Sequence, residues 1–136
     1  MAKTGGGVHL KKFKISGHKF HENHQMYSRH REFCANPPLL TNLLEASARQ
    51  VVIRAGRQTE LDGIIPGHLK LLVKAGDSGF ALSMTRPNEV EATFLGGWQA
   101  LEQVTEYAVT VNFILLTPTP FAEADVIDAL SPEAVR

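Results

Sequence analysis

Apolar and polar positions alternate with a period of two over much of the second half of the chain. Leu69, Leu71 and Val73 lie on one side of Gly76-Asp77-Ser78-Gly79, and Phe80, Leu82 and Met84 lie on the other. Successive side chains of a strand point to opposite faces, so this pattern predicts a hairpin that turns at Asp77. A competing reading makes residues 68–75 a short helix closed by Gly76. Val90, Ala92 and Phe94 alternate in the same way after the Arg86-Pro87-Asn88 turn, and residues 99–105 can form a short helix. From Glu106 to Thr117 both side-chain rows are largely apolar, with Tyr107, Val109, Val111, Phe113 and Leu115 in one and Ala108, Thr110, Asn112, Ile114 and Leu116 in the other. That predicts a strand buried on both faces, central or covered by another element. Pro118 and Pro120 end it, and Phe121 to Leu130 reads as a short acidic helix.

The first half mixes periods. Val8, Leu10, Phe13 and Ile15 predict a strand over residues 8–15, with one slip at Lys11-Lys12. Between His18 and Cys34, the residues Phe20, Met26, Tyr27, Phe33 and Cys34 fall on one arc at 100° per residue, which predicts a helix. Asn36 before Pro37 reads as a cap and first turn of a second helix. This helix places Leu39, Leu40, Leu43, Leu44 and Ala46 on its apolar face, and Val51 to Ile53 follows as a short buried strand. The elements together predict an α+β fold: a mainly antiparallel sheet of about five to six strands with two or three helices, two of them in the N-terminal half. Gly5, Gly6 and Gly7 suggest a flexible arm over residues 1–7, leaving residues 8–136 as a single domain.

Charge changes the picture more than composition does. The chain is formally neutral, but residues 1–54 carry nine basic against three acidic side chains, and residues 55–136 carry five against eleven. The halves are therefore +6 and −6, which points to a basic surface for an anionic partner or to attraction between halves or subunits. Lys11, Lys12, Lys14 and Lys19, interleaved with Phe13 and Phe20 and followed by Arg29 and Arg31, are the candidate anion-binding residues. No stretch approaches the roughly 20 apolar residues that span a bilayer. No secretory signal is visible, and one cysteine permits no intrachain disulfide. A cytoplasmic protein without a membrane partner is expected.

Candidate chemistry is sparse. His18, His21, His24 and His30, with Cys34 four positions beyond the last, have the donor types of a zinc or other transition-metal site. On the predicted helix they fan out rather than converge, so no cofactor is expected and the metal site is an alternative. Gly76-Asp77-Ser78-Gly79 resembles the nucleophile motif of trypsin-like serine proteases. The likeness covers four residues, Phe80 follows where that motif has glycine, and a double β-barrel needs far more chain. No phosphate-binding glycine loop is present. The reading that emerges is a binding or assembly subunit rather than an enzyme, forming a homo-oligomer or part of a larger complex through its basic N-terminal region. The alternatives are a nucleic-acid-binding protein and a small metal-dependent or histidine-based enzyme using the His18–Cys34 region.

Overall fold

The computed structural model describes residues 25–116 and 123–136. The expected strand over 8–15, the arm before it, and Lys11, Lys12, Lys14, His18, Lys19, His21 and His24 lie outside the described residues. Among the described residues, five strands form one antiparallel sheet: β1 (Gln25–Leu40), β2 (Gly67–Ala75), β3 (Ser78–Arg86), β4 (Glu89–Leu95) and β5 (Gln103–Leu115). Three helices accompany it: α1 (Thr41–Thr59), α2 (Glu123–Asp128) and α3 (Pro132–Val135). The fold is α+β, as the alternation predicts.

The strand order is β1-β5-β2-β3-β4. β2, β3 and β4 form a meander of hairpins, with Leu71 opposite Leu82 and Phe80 opposite Phe94. Residues 68–75 are thus strand, not helix. β5 is antiparallel to both β1 and β2, with Val111 facing Arg29 on one side and Leu71 on the other. β1 and β2 therefore run parallel, joined by α1, with the last described strand between them. At the start of β2, Gly67 has φ +143°, and a Cβ there would lie 1.9 Å from the carbonyl oxygen of Ile114. Only glycine lets the two backbones meet at that point.

One helix predicted in the first half becomes strand. Residues 25–34 pair with β5 in unbroken register, from Gln25 opposite Leu115 to Cys34 opposite Glu106. Tyr27, Phe33 and Ala35 are buried in one row, while Met26, Ser28, His30, Glu32 and Cys34 are exposed in the other. Asn36 and Pro37 do not start a helix either. They form a cis peptide within the irregular stretch between Cys34 and Leu39, and β1 resumes at Leu39 opposite Val104. The second helix begins at Thr41 and continues through Val51 to Ile53, which are helical rather than strand. Its buried residues, Thr41, Leu44, Ala48, Val51, Val52, Ala55, Gly56 and Thr59, recur every three or four positions. This stripe packs chiefly on β2 and β3, and tertiary packing outweighs the strand preference of the β-branched run.

The core lies between one face of the sheet and its helices. Leu69, Leu71, Val73, Phe80, Leu82, Met84, Val109, Val111, Phe113 and Leu115 come from the sheet, and Leu44, Ala48 and Val52 come from α1. Near β1, the C-terminal helices cover the same face with Val126, Ile127, Leu130 and Val135. The Tyr107 hydroxyl donates to the Leu130 carbonyl at 2.6 Å, tying β5 to the segment between α2 and α3. Of the acidic helix expected over 121–130, residues 121–122 lie outside the described residues and Glu123–Asp128 form α2, which ends two residues before Leu130, and α3 starts on a Ser131 cap whose side chain accepts from the Ala134 amide. The short helix expected over 99–105 reduces to one 3-10 turn at Trp98–Ala100, and β5 begins at Gln103.

The opposite face of the sheet has no described helix over it. One row across it reads His30, Thr110, Leu72, Ala81 and Thr93, and a neighbouring row reads Ser28, Asn112, Lys70, Ser83 and Glu91. β5 is central by pairing, but its burial is one-sided. Val109 to Leu115 of the odd row are fully buried, whereas Ala108, Thr110 and Ile114 are half-buried and Asn112 is exposed.

Candidate functional site

Of the candidate anion-binding residues, Arg29 and Arg31 are described, and both stand in the core-facing row of β1. The Arg31 guanidinium lies 4.9 Å from the centroid of the Phe33 ring and pairs with the Asp128 carboxylate. Arg29 lies 5.6 Å from the Tyr27 ring centroid and donates to the Ser28 carbonyl at 2.7 Å. These arginines thus flank the covering of the core by α2 and do not belong to the open sheet face.

The described part of the proposed metal set separates in the same way. His30 and Cys34 are on the open face, four positions apart on a strand, or about 13 Å at the usual rise. His30 Nδ1 shares a 2.8 Å hydrogen bond with Thr110 Oγ1, and its Nε2 lies 3.7 Å from Glu32. Cys34 is exposed opposite Glu106. A helix would set i and i+4 on one side within one turn, but the strand that forms here holds them apart. Among the described residues no three His, Cys, Asp or Glu side chains gather as a metal site. Ser78 of the protease-like tetrapeptide accepts from the Gly97 amide at 3.2 Å and links the β2–β3 turn to the end of β4.

A further histidine stands out. His68 is in β2 opposite Ile114, its Nδ1 buried without a hydrogen-bond partner. Burial, and secondarily the charge of Lys70, lowers its pKa below the ordinary 6.5. The site thus favours the neutral imidazole over the charged one.

Apart from Met26 on the open face of β1, the exposed large apolar side chains among the described residues form two groups, one at each end of α1. At its start Leu40 is 48% exposed, Leu43 follows in the first turn, and Leu101 sits beside them. The Thr41 amide donates to the Glu102 carbonyl at 3.0 Å and its hydroxyl to the Leu101 carbonyl at 2.7 Å, fastening the helix to the segment that leads into β5. A groove of about 510 Å³ opens between them, lined by Leu40, Glu45, Trp98, Leu101 and Glu102 among others. The Trp98 indole at its base donates to Glu45 at 3.4 Å, and Arg49 holds the other Glu45 oxygen at 3.2 Å. Beyond the end of α1, Leu61 and Ile64 exchange both backbone hydrogen bonds across Asp62-Gly63, whose positive φ values of 52° and 81° make a tight turn. Leu61 and Ile64 are exposed at its flanks, Ile64 by 63%. Leu116, also exposed, donates its amide to the Pro66 carbonyl nearby.

The sequence reading missed the group at the start of α1 because Leu40 and Leu43 belong to a run of leucines that scans as one apolar face. Only where the helix begins decides which of them turn inward. Comparison with known proteins finds no matching family, no matching curated protein and no matching solved structure. No described helix is long and apolar enough to cross a membrane.

Proposed function

We propose that the protein is a non-enzymatic assembly subunit, a member of a homo-oligomer or larger complex that contacts neighbouring chains, with its basic N-terminal region among the contacts. The observation that carries this reading is the gathering of six of the seven exposed large apolar side chains among the described residues near the two ends of α1. Clustered apolar surface marks contact sites, because covering it releases water at about 25 cal/mol per Å². The charge distribution supports a protein partner over nucleic acid on the described body. Residues 25–116 and 123–136 carry nine Lys or Arg against thirteen Asp or Glu, a net −4. Arg31 is moreover committed to an ion pair within the fold.

Gel filtration with light scattering over a range of salt concentrations tests the reading. The expected result is a defined oligomer with an absorbance ratio of nucleic-acid-free protein. A monomer at every concentration and salt, given alone or with co-purifying nucleic acid, overturns it, and in the second case promotes the nucleic-acid alternative.

A further inference from the structure

We infer that two copies of the chain pair along β4, the strands lying antiparallel about a two-fold axis through Ala92 so that both sheets join into one. The inference rests on the assembly reading and names the surface through which two copies meet. β4 is one of the two edges of the described sheet. Its core-facing row, Val90, Ala92 and Phe94, packs on the core but stays half-buried, whereas Phe80 and Leu82 beside it on β3 are 0% and 1% exposed. The described elements therefore leave the core open at this edge. The other edge is built differently. Charged side chains in the inward row, prolines and bulges keep an edge strand from pairing with another chain. β1 has all three: Arg29 and Arg31 in its core-facing row, Pro37 and Pro38, and the irregular stretch between Cys34 and Leu39. From Val90 to Leu95, β4 has no proline and no basic residue, its inward row is wholly apolar, and its pairing with β3 is regular from Glu91 onward.

The order of residues within β4 selects a second copy as the partner. With Ala92 on the axis, all seven residues from Glu89 to Leu95 meet a residue of the partner strand: Val90 faces Phe94, Ala92 faces Ala92, Glu91 faces Thr93 and Glu89 faces Leu95. The apolar row then runs from one core into the other, and no carboxylate stands directly opposite another. Moving the axis to Glu91 sets that residue against itself, and moving it to Val90 sets Glu89 against Glu91. Moving it to Thr93 leaves Glu89 and Val90 facing Gly97 and Gly96. Ala92 is thus the centre that matches the whole strand without opposing like charges. A contact between identical patches closes on itself, so it makes a pair rather than a filament.

Charge on the exposed row of β4 gives the test. Thr93→Glu sets a carboxylate opposite Glu91 at two symmetric points, and at low salt it should weaken the pair about ten-fold or more. Light scattering should then show half the wild-type mass, with the circular dichroism of the folded protein retained, because Thr93 is exposed. Adding Glu91→Lys to the same chain sets opposite charges at both points and should restore the mass. Amide hydrogen exchange over Glu89–Leu95 should slow as wild-type concentration rises and stay fast in Thr93→Glu. An oligomer whose mass ignores Thr93→Glu, or a variant that Glu91→Lys does not rescue, overturns the inference and leaves the assembly reading standing. So does exchange at one rate at every concentration; slow exchange already present at the lowest concentration would assign this edge to another segment of the same chain. A wild-type protein that is monomeric throughout overturns both.

Discussion

The two side-chain rows of β5 are drawn from one stretch of sequence, yet they have opposite fates. Tyr107, Val109, Val111, Phe113 and Leu115 carry no more than 3% exposure each, whereas Ala108, Thr110 and Ile114 are half-buried and Asn112 is exposed. Apolar character alone does not separate the rows, since Ile114 is as hydrophobic as Val111. What separates them is the second layer: α1, α2 and α3 all pack on one side of the sheet. A strand's composition reports how much burial it can use, and the helices decide which side receives it.

The contrast can be broken most violently by exchanging charge between the rows. Val111→Asp places an unpaired carboxylate in the core and should cost more than about 3 kcal/mol, enough to unfold the domain or lower its melting temperature severely. Asn112→Asp, one residue away on the open face, should change stability by no more than about 0.5 kcal/mol. Similar melting curves for the two variants would show that the faces are not distinct.

A smaller effect should come from the one hydroxyl on the buried row. Tyr107→Phe removes its bond to the Leu130 carbonyl and should cost about 1–2 kcal/mol in denaturant unfolding. Burial, followed by the charge of Glu133, raises the Tyr107 pKa well above its ordinary 10. The folded state thus keeps a proton that the unfolded chain releases, and the associated stability is complete below pH 10 and lost as pH rises above it. The phenylalanine variant should lose part of that alkaline decline. If its stability parallels that of the wild type from pH 9 to 11, Tyr107 is not the group responsible.

The smallest effect belongs to the open face. Because burial lowers the His68 pKa below 6.5, the stability linked to its neutral form is present above pH 6.5 and lost as pH falls below it. His68→Gln should flatten the fall in melting temperature between pH 7 and pH 5. An unchanged slope would assign the acid sensitivity elsewhere.

Much of this architecture is legible in the sequence where the hydrophobic period is clean. The hairpin of Leu69 to Met84, the strand over Val90 to Phe94 and the strand from Tyr107 to Leu115 all follow from alternation. β1 is not legible in this way, because Arg29 and Arg31 occupy the same row as Tyr27 and Phe33. Guanidinium groups lying over the aromatic rings serve as part of the covering layer, and a hydropathy pattern counts them as polar. The boundaries of α1 are hidden for a different reason. Val51, Val52 and Ile53 favour a strand locally, and only their packing on β2 and β3 keeps them helical. The candidate site was read least well, since its histidine spacing assumed a helix. On the strand that forms, His30 and Cys34 stand apart, and the exposed leucines at the start of α1 looked like core.

The order in which the strands are synthesised differs from their order in the sheet, and this bears on how the chain emerges from the ribosome. β5 is made last but lies between β1 and the β2-β3-β4 meander. Until residues 103–115 have left the exit tunnel, β1 and β2 each present an unpaired edge to the other contents of the cell. The meander can form early through local contacts, whereas β1 must wait for a partner whose pairing residues lie 63 positions downstream for Leu40 with Gln103 and 90 for Gln25 with Leu115. A nascent chain stalled before Gln103 should therefore be bound by chaperones, and release of the C-terminal segment should be the event that discharges them.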